Sequence, residues 1–354
     1  MSNSLSLPMS VEAVTTTWLN QAIKQRHPTV DVIASSVIKV IWGSATKVQM
    51  ELTYNDAGKA LGLPTIVYVK GGFDPELLQM VGSGYVTEAI FYKVIAPQLD
   101  IPLPATYFSG YDTATNQAIV LMEDLDKRGV AFGIPTIAYT PEQVAQGLDV
   151  QARWHARWWN NTELVEQGWL RKGNPGLRHV MHQLLTPEHW DKHLSLPKAN
   201  PVAGDLRKRD VVVRSFERLW AYDDAAAQCF LHGDTHIGNT YREANGAVRF
   251  LDWQTVMLGP WSHDAAIFIA GSLAPQDRRT HEKELLEQYL GRLRDLGVDA
   301  PSFNAAWTDY VRHILHGFLW VMTPEEMQPN AYTAAMTERY SVAADELGTL
   351  HALR

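Results

Sequence analysis

The chain carries Leu231-His232-Gly233-Asp234-Thr235-His236-Ile237-Gly238-Asn239 and, beyond a short gap, Phe250-Leu251-Asp252-Trp253-Gln254. Transfer of a terminal phosphoryl group needs a carboxylate to orient and deprotonate the accepting hydroxyl, and oxygen ligands to hold Mg²⁺ against nucleotide phosphates. Asp234 is suited to the first task, Asn239 and Asp252 to the second. Asn239 follows Asp234 by five positions, and Glu243-Ala244-Asn245-Gly246 reads as the turn of a hairpin leading to Asp252. An Asp after Gly often only caps a turn, but a cap needs neither that Asn nor a further Asp beyond a hairpin. The spacing His232-x-Asp234-x-His236, with His263-Asp264 further on, admits a second reading as a metal-dependent hydrolase with imidazole ligands. A catalytically silent nucleotide-binding scaffold is a third.

The His-Gly-Asp loop, the offset Asn and the Asp-Trp pair resemble the aminoglycoside/choline kinase-like phosphotransferases, and within them the ecdysteroid-kinase-like branch. Gly259-Pro260-Trp261-Ser262-His263-Asp264-Ala265-Ala266 adds to the resemblance, which runs from about Val37 to Leu273. It implies an α+β, two-lobed, protein-kinase-like fold: a small antiparallel-sheet lobe over residues 1–123 that binds nucleotide, and a larger, mainly helical lobe over 124–354 with the catalytic loop and acceptor-binding helices. It also implies Asp234 as base, Asn239 and Asp252 as Mg²⁺ ligands, His232 bracing the loop, and Asp264 packed beneath it. The donor would be ATP or GTP, and the acceptor a small-molecule hydroxyl.

The upstream sequence supplies matching elements. Val37–Ile41 and Lys47–Tyr54 read as strands around the loop Trp42-Gly43-Ser44-Ala45-Thr46, Asn55–Gly58 as a turn, and Thr65–Lys70 as a third strand rich in β-branched and aromatic residues. In the kinase scheme a third-strand lysine contacts the α- and β-phosphates and pairs with a glutamate on the next helix. Lys70 and Glu88 fill those positions, Glu88 lying on a helix predicted over Gly84–Leu99. The phosphate loop departs from the glycine-rich pattern: Gly43 stands alone before Ser44, Ala45 and Thr46, which lowers the expected nucleotide affinity. Ala118–Leu125 reads either as a strand ending in an acidic turn or as the hinge whose backbone near Glu123 and Leu125 meets the nucleobase. By local sequence the two are nearly even, but position favours the hinge: the segment follows the third strand, the Glu88 helix and another strand near Ala105–Ser109.

Thr140-Pro141-Glu142-Gln143 predicts a capping box opening a helix to about Trp159, followed by an insertion over Asn160–Ala227 with irregular connections at Asn174–Gly176 and Leu196-Pro197. Ala305–Leu319 carries the spacing of a core-facing helix, and Thr323-Pro324-Glu325-Glu326 the start of another. The resemblance implies that this insertion shapes the acceptor pocket, so cationic alcohols, aminoglycosides and sterols stay open, as do ATP against GTP, the oligomeric state and the role of the C-terminal helices.

Composition agrees with an enzyme of this kind. A chain of 354 residues with 46% hydrophobic content can bury the core of two lobes. Twelve tryptophans and a net charge of −8 suit packing and an ordinary soluble surface better than a cation pocket. There is no basic patch to recruit nucleic acid, no apolar run of membrane-spanning length, and no signal-peptide pattern at the start. Cys229 is the sole cysteine, which fits a cytoplasmic setting.

Overall fold

The computed structural model describes residues 5–43, 45–160, 163–166, 168–226 and 228–354. These fall into two compact units: residues 1–130 with Asp252–Thr255, and residues 131–251 with 256–354. A small antiparallel-sheet unit and a larger, mainly helical one are what the α+β expectation describes.

In the first unit five strands, β1 (Val32–Ile41), β2 (Thr46–Tyr54), β3 (Ile66–Gly71), β4 (Thr106–Asp112) and β5 (Gln117–Glu123), form an antiparallel sheet in the order β1-β2-β3-β5-β4. Alternation in β2 sends Val48, Met50 and Leu52 to a core shared with Val67, Val69, Ile119 and Leu121. The helix Thr16–Lys24 covers that face, with Trp18 edge-on to Phe108 at 5.4 Å between ring centres. The structural division falls after Val130, not at Glu123, because the following turn is tied back to this sheet: Gln49 donates to Asp124 at 2.6 Å and Arg128 pairs with Glu123 at 2.8 Å.

Two local expectations change here. Asn55–Gly58 is the start of a one-turn helix, Asp56–Ala60, since the Asn55 side chain accepts from the Gly58 amide. The helix that carries Glu88 begins at Pro75, capped by Asp74, and runs to Ile90, where it passes into a π turn over Phe91–Ile95. Gly82 and Gly84 interrupt its apolar pattern and hide its first half from sequence.

The second unit contains β6 (Ala131–Phe132), β7 (Cys229–Leu231), β8 (Thr240–Arg242), β9 (Val248–Phe250) and β10 (Met257–Gly259). β8 and β9 form the predicted hairpin, with β6 at its edge, while β10 pairs with β7. Gly133 is required after β6: a Cβ there would stand 1.9 Å from the Ile237 carbonyl oxygen. Helix Ser262–Ser272 is buried at every position and forms the centre, with Pro141–Arg157 and Pro275–Asp295 packed around it. The Thr140–Gln143 capping box is formed, each side chain bonding the other's backbone amide at 3.3 and 3.0 Å.

The prolines of the insertion are helix starts, not irregular connections. Asn174 caps Pro175–Leu184, accepting from the Leu177 amide, and Pro197 opens a 3-10 turn. Ala227, the end of the predicted insertion, lies outside the described residues. The helix expected over Ala305–Leu319 is Phe303–His313 followed by a 3-10 turn, Ile314–Phe318, where Gly317 packs beneath the Tyr340 ring. Thr323–Glu326 starts no helix; the next one is Asn330–Glu346.

Candidate functional site

The first unit holds a buried charge cluster. Lys70, on β3, reaches Glu88 at 2.8 Å and Asp252 at 3.1 Å, so the expected Lys70–Glu88 pair is formed and has a third member. Burial alone would lower the Lys70 pKa, but the Asp252 and Glu88 carboxylates hold it well above its ordinary value. Burial raises Glu88, against the pull of Lys70. Asp252 keeps a side-chain exposure of 27%, so part of its carboxylate faces outward.

Asp252 adopts φ +67°, a left-handed conformation that costs an L residue about 1–2 kcal/mol. Its neighbours hold it there. Trp253 lies flat on Phe91, with ring centres 4.1 Å apart and planes 6° apart, at the π turn that ends the Glu88 helix. One short segment is thereby fixed to the helix and, through the carboxylate, to the lysine.

The expected phosphate loop is only partly accessible. Ala45 and Thr46 are both 2% exposed, and Thr46 is paired with Gly71 in the sheet. Gly43 is exposed, and Ser44 lies outside the described residues. At the expected hinge the Glu123 amide donates to the Ala105 carbonyl at 2.9 Å, its side chain accepts from the Ala105 amide at 2.7 Å, and Leu125 is buried. β5 ends at Glu123, and its amide still serves the sheet.

The second unit holds the His-Gly-Asp loop. Gly233 takes φ +84°, which admits glycine readily and turns the chain so that Asp234 projects with its side chain 44% exposed. Below, the buried Asp264 carboxylate accepts from the His232 amide at 2.8 Å and the Gly233 amide at 2.9 Å, while its own carbonyl accepts from the Thr235 hydroxyl at 2.7 Å. His155 completes this support, one ring nitrogen 3.2 Å from Asp264 and the other 2.7 Å from the Tyr289 hydroxyl. Burial opposes ionisation of Asp264, yet the His155 hydrogen bond and the nearby imidazoles hold its pKa below the ordinary 3.8. His263 bonds the Gly233 carbonyl at 3.1 Å.

His232 has both nitrogens engaged: Nδ1 accepts from the Asp234 amide at 3.3 Å, so Nε2 carries the proton that it donates to the Leu251 carbonyl at 3.0 Å. It has no lone pair to give a metal. Asn239 donates through Nδ2 to the Asp234 carbonyl at 2.9 Å and carboxylate at 3.0 Å, leaving its amide oxygen as an acceptor. His236 stands 3.5 Å from the same carboxylate and edge-on to Trp320 at 5.0 Å. Against the cost of burial, His236 above all holds the Asp234 carboxyl below its ordinary 3.8.

Sequence reasoning missed the supporting roles of His155, Thr235 and His263 and the stacking of Phe91. All act only through folded contacts, and the stacking partner of Phe91 lies far along the chain.

An antiparallel-sheet unit with a buried Lys–Glu pair, and a helical unit with an Asp-braced His-Gly-Asp loop, define a kinase-like class of fold. The model of the Ecdysteroid kinase-like family matches residues 179–298, so the resemblance read from the sequence is borne out. Among solved structures the chain is similar to a macrolide 2'-phosphotransferase from Brachybacterium faecium (16% identity over 90% of this chain and 97% of that one, TM-score 0.45). A choline kinase from Streptococcus pneumoniae shows 14% identity over 93% and 99%, with a TM-score of 0.46. A microcompartment-associated aminopropanol kinase shows 13% over 94% and 98%, with a TM-score of 0.48. No curated protein matches the chain. At such likeness the site's own geometry has to carry the finer function.

Proposed function

We propose that the chain transfers the γ-phosphoryl group of ATP or GTP to a hydroxyl of a small molecule. The observation that carries this is the Asp234–Asn239 pair: a half-buried carboxylate hydrogen-bonded at 3.0 Å to an amide whose oxygen stays available. A hydrolase using His232, Asp234 and His236 is disfavoured because the His232 nitrogens are spent.

In this reading Lys70, fixed by Glu88, meets the α- and β-phosphates, and amides around Gly43 contribute beside them. Ala45 and Thr46 are buried, so the lysine does most of the holding. Backbone groups of Glu123 and Leu125 meet the nucleobase. The Asn239 amide oxygen and the outward part of the Asp252 carboxylate are hard oxygen donors that fit Mg²⁺, which would neutralise charge between the β- and γ-phosphates. Asp234 orients the acceptor hydroxyl in line and takes its proton late, with His236 beside it and Asp264 fixing the loop. The lowered pKa keeps the carboxylate charged, so it orients the hydroxyl as a hydrogen-bond acceptor, at some cost in basicity. The sole cysteine, Cys229, is buried, and no described helix is long and apolar enough to cross a membrane; both fit a cytoplasmic enzyme.

The test incubates the protein with Mg²⁺ and ATP or GTP against a panel of cationic alcohols, aminoglycosides and sterols. Mass spectrometry then looks for an acceptor that gains one phosphoryl group. The expected product disappears with Asp234→Asn; a product formed equally by that variant contradicts the role of Asp234.

A further inference from the structure

Behind the loop, and unused by the proposed chemistry, lies a second group of ligand-type side chains. Asp223 ends the helix Arg209–Ala225, His313 closes Phe303–His313, and His316 sits on the 3-10 turn that follows. One carboxylate oxygen and one nitrogen from each ring lie within 4.8 Å of one another, all buried.

The hydrogen bonds leave a deficit of positive charge. His313 Nδ1 is 2.6 Å from the Asp309 carbonyl, which can only accept, so Nδ1 carries a proton. A neutral His313 then points the Nε2 lone pair at the Asp223 carboxylate 2.8 Å away, which is acceptor against acceptor. A cation has to stand between them, either a second proton on His313 or a metal. His316 distinguishes the two. Neither of its ring nitrogens makes a hydrogen bond although the residue is 8% exposed, and its Nε2 lies 3.5 Å from the other Asp223 oxygen. A proton on His313 does nothing for His316, whereas a metal satisfies both rings and the carboxylate together. Ligand atoms about 2.1 Å from a tetrahedral zinc stand about 3.4 Å apart, and the observed 2.8 and 3.5 Å straddle that spacing.

A metal-bound imidazole commonly donates its other N–H to a backbone carbonyl, as His313 does here to Asp309.

We propose that Asp223, His313 and His316 form a structural site for a divalent transition metal, zinc above all. It is separate from the Mg²⁺ ligands and stands whether or not phosphoryl transfer is the activity.

The test is equilibrium dialysis of the full chain against Zn²⁺ and Co²⁺, with metal content and the visible absorption of bound Co²⁺ as readouts. One tightly held ion per chain is expected, with the strong absorption of a tetrahedral site and a melting temperature that a chelator lowers by several degrees. His316→Gln should lose the ion, while Asp252→Asn should keep it. No bound metal in the wild-type chain overturns the proposal, as does undiminished binding by His316→Gln or loss of the ion in Asp252→Asn. Should His316→Gln fail to fold, the wild-type Co²⁺ spectrum decides alone: octahedral or absent absorption rejects the site.

Discussion

Asp252 and Asp234 are both carboxylates, yet their surroundings assign them different work. Asp252 is held in a left-handed backbone conformation against Lys70, and Asp234 is half-buried and paired with Asn239. Replacing Asp234 by Asn removes the proton acceptor without adding bulk. Turnover should fall by about 10³-fold while Mg²⁺-nucleotide binding, read by calorimetry, stays near the wild-type value. Asp264 makes a prediction of the opposite kind, on stability. Its folded pKa lies below the ordinary 3.8, so its contribution is fully present above 3.8 and is lost as pH falls through the lower folded value. Asp264→Asn should cost about 2–4 kcal/mol at neutral pH and flatten the acid limb of a urea-midpoint profile measured against pH. A variant that keeps the wild-type acid limb would show that the carboxylate does not carry that dependence.

At the scale of elements, the segment Asp252–Thr255 is positioned by a helix and not by its own chain neighbours. Trp253→Ala would remove the stack on Phe91 and cost about 3–5 kcal/mol. It should also loosen Asp252, so nucleotide affinity falls along with stability. Phe91→Leu keeps volume but not the flat contact, and should reproduce the affinity loss with a smaller stability loss. Caps and periodicities were legible in the sequence: the Thr140 box, the β8–β9 hairpin and strands β1–β3 followed from local residue types. The first half of the Glu88 helix was not, since Gly82 and Gly84 break the pattern and only Asp74-Pro75 marks the start. Pro175 and Pro197 misled because proline punctuates loops and helix starts alike, and only the Asn174 cap tells them apart.

At the scale of the molecule, the sequence held the list of chemical parts but not their grouping. The Lys70–Asp252 contact joins residues 182 positions apart, and no local pattern reports a separation of that length. The same holds for Asp223 and His313, 90 positions apart. Motifs were legible because phosphoryl transfer demands particular residues at short spacing. Asp264 was expected beneath the loop, but its bracing by His155 and Tyr289 was hidden, because support needs only proximity in space.

The proposed nucleotide-binding role of Lys70 and Asp252 is tested most directly by a thermal-shift titration with ATP and GTP, each with and without Mg²⁺. Wild-type protein should be stabilised by at least one nucleotide in a Mg²⁺-dependent way, by about 2–3 kcal/mol at a hundredfold excess over Kd, and Asp252→Asn should lose that shift. No shift with either nucleotide, or an equal shift in the variant, would contradict the account.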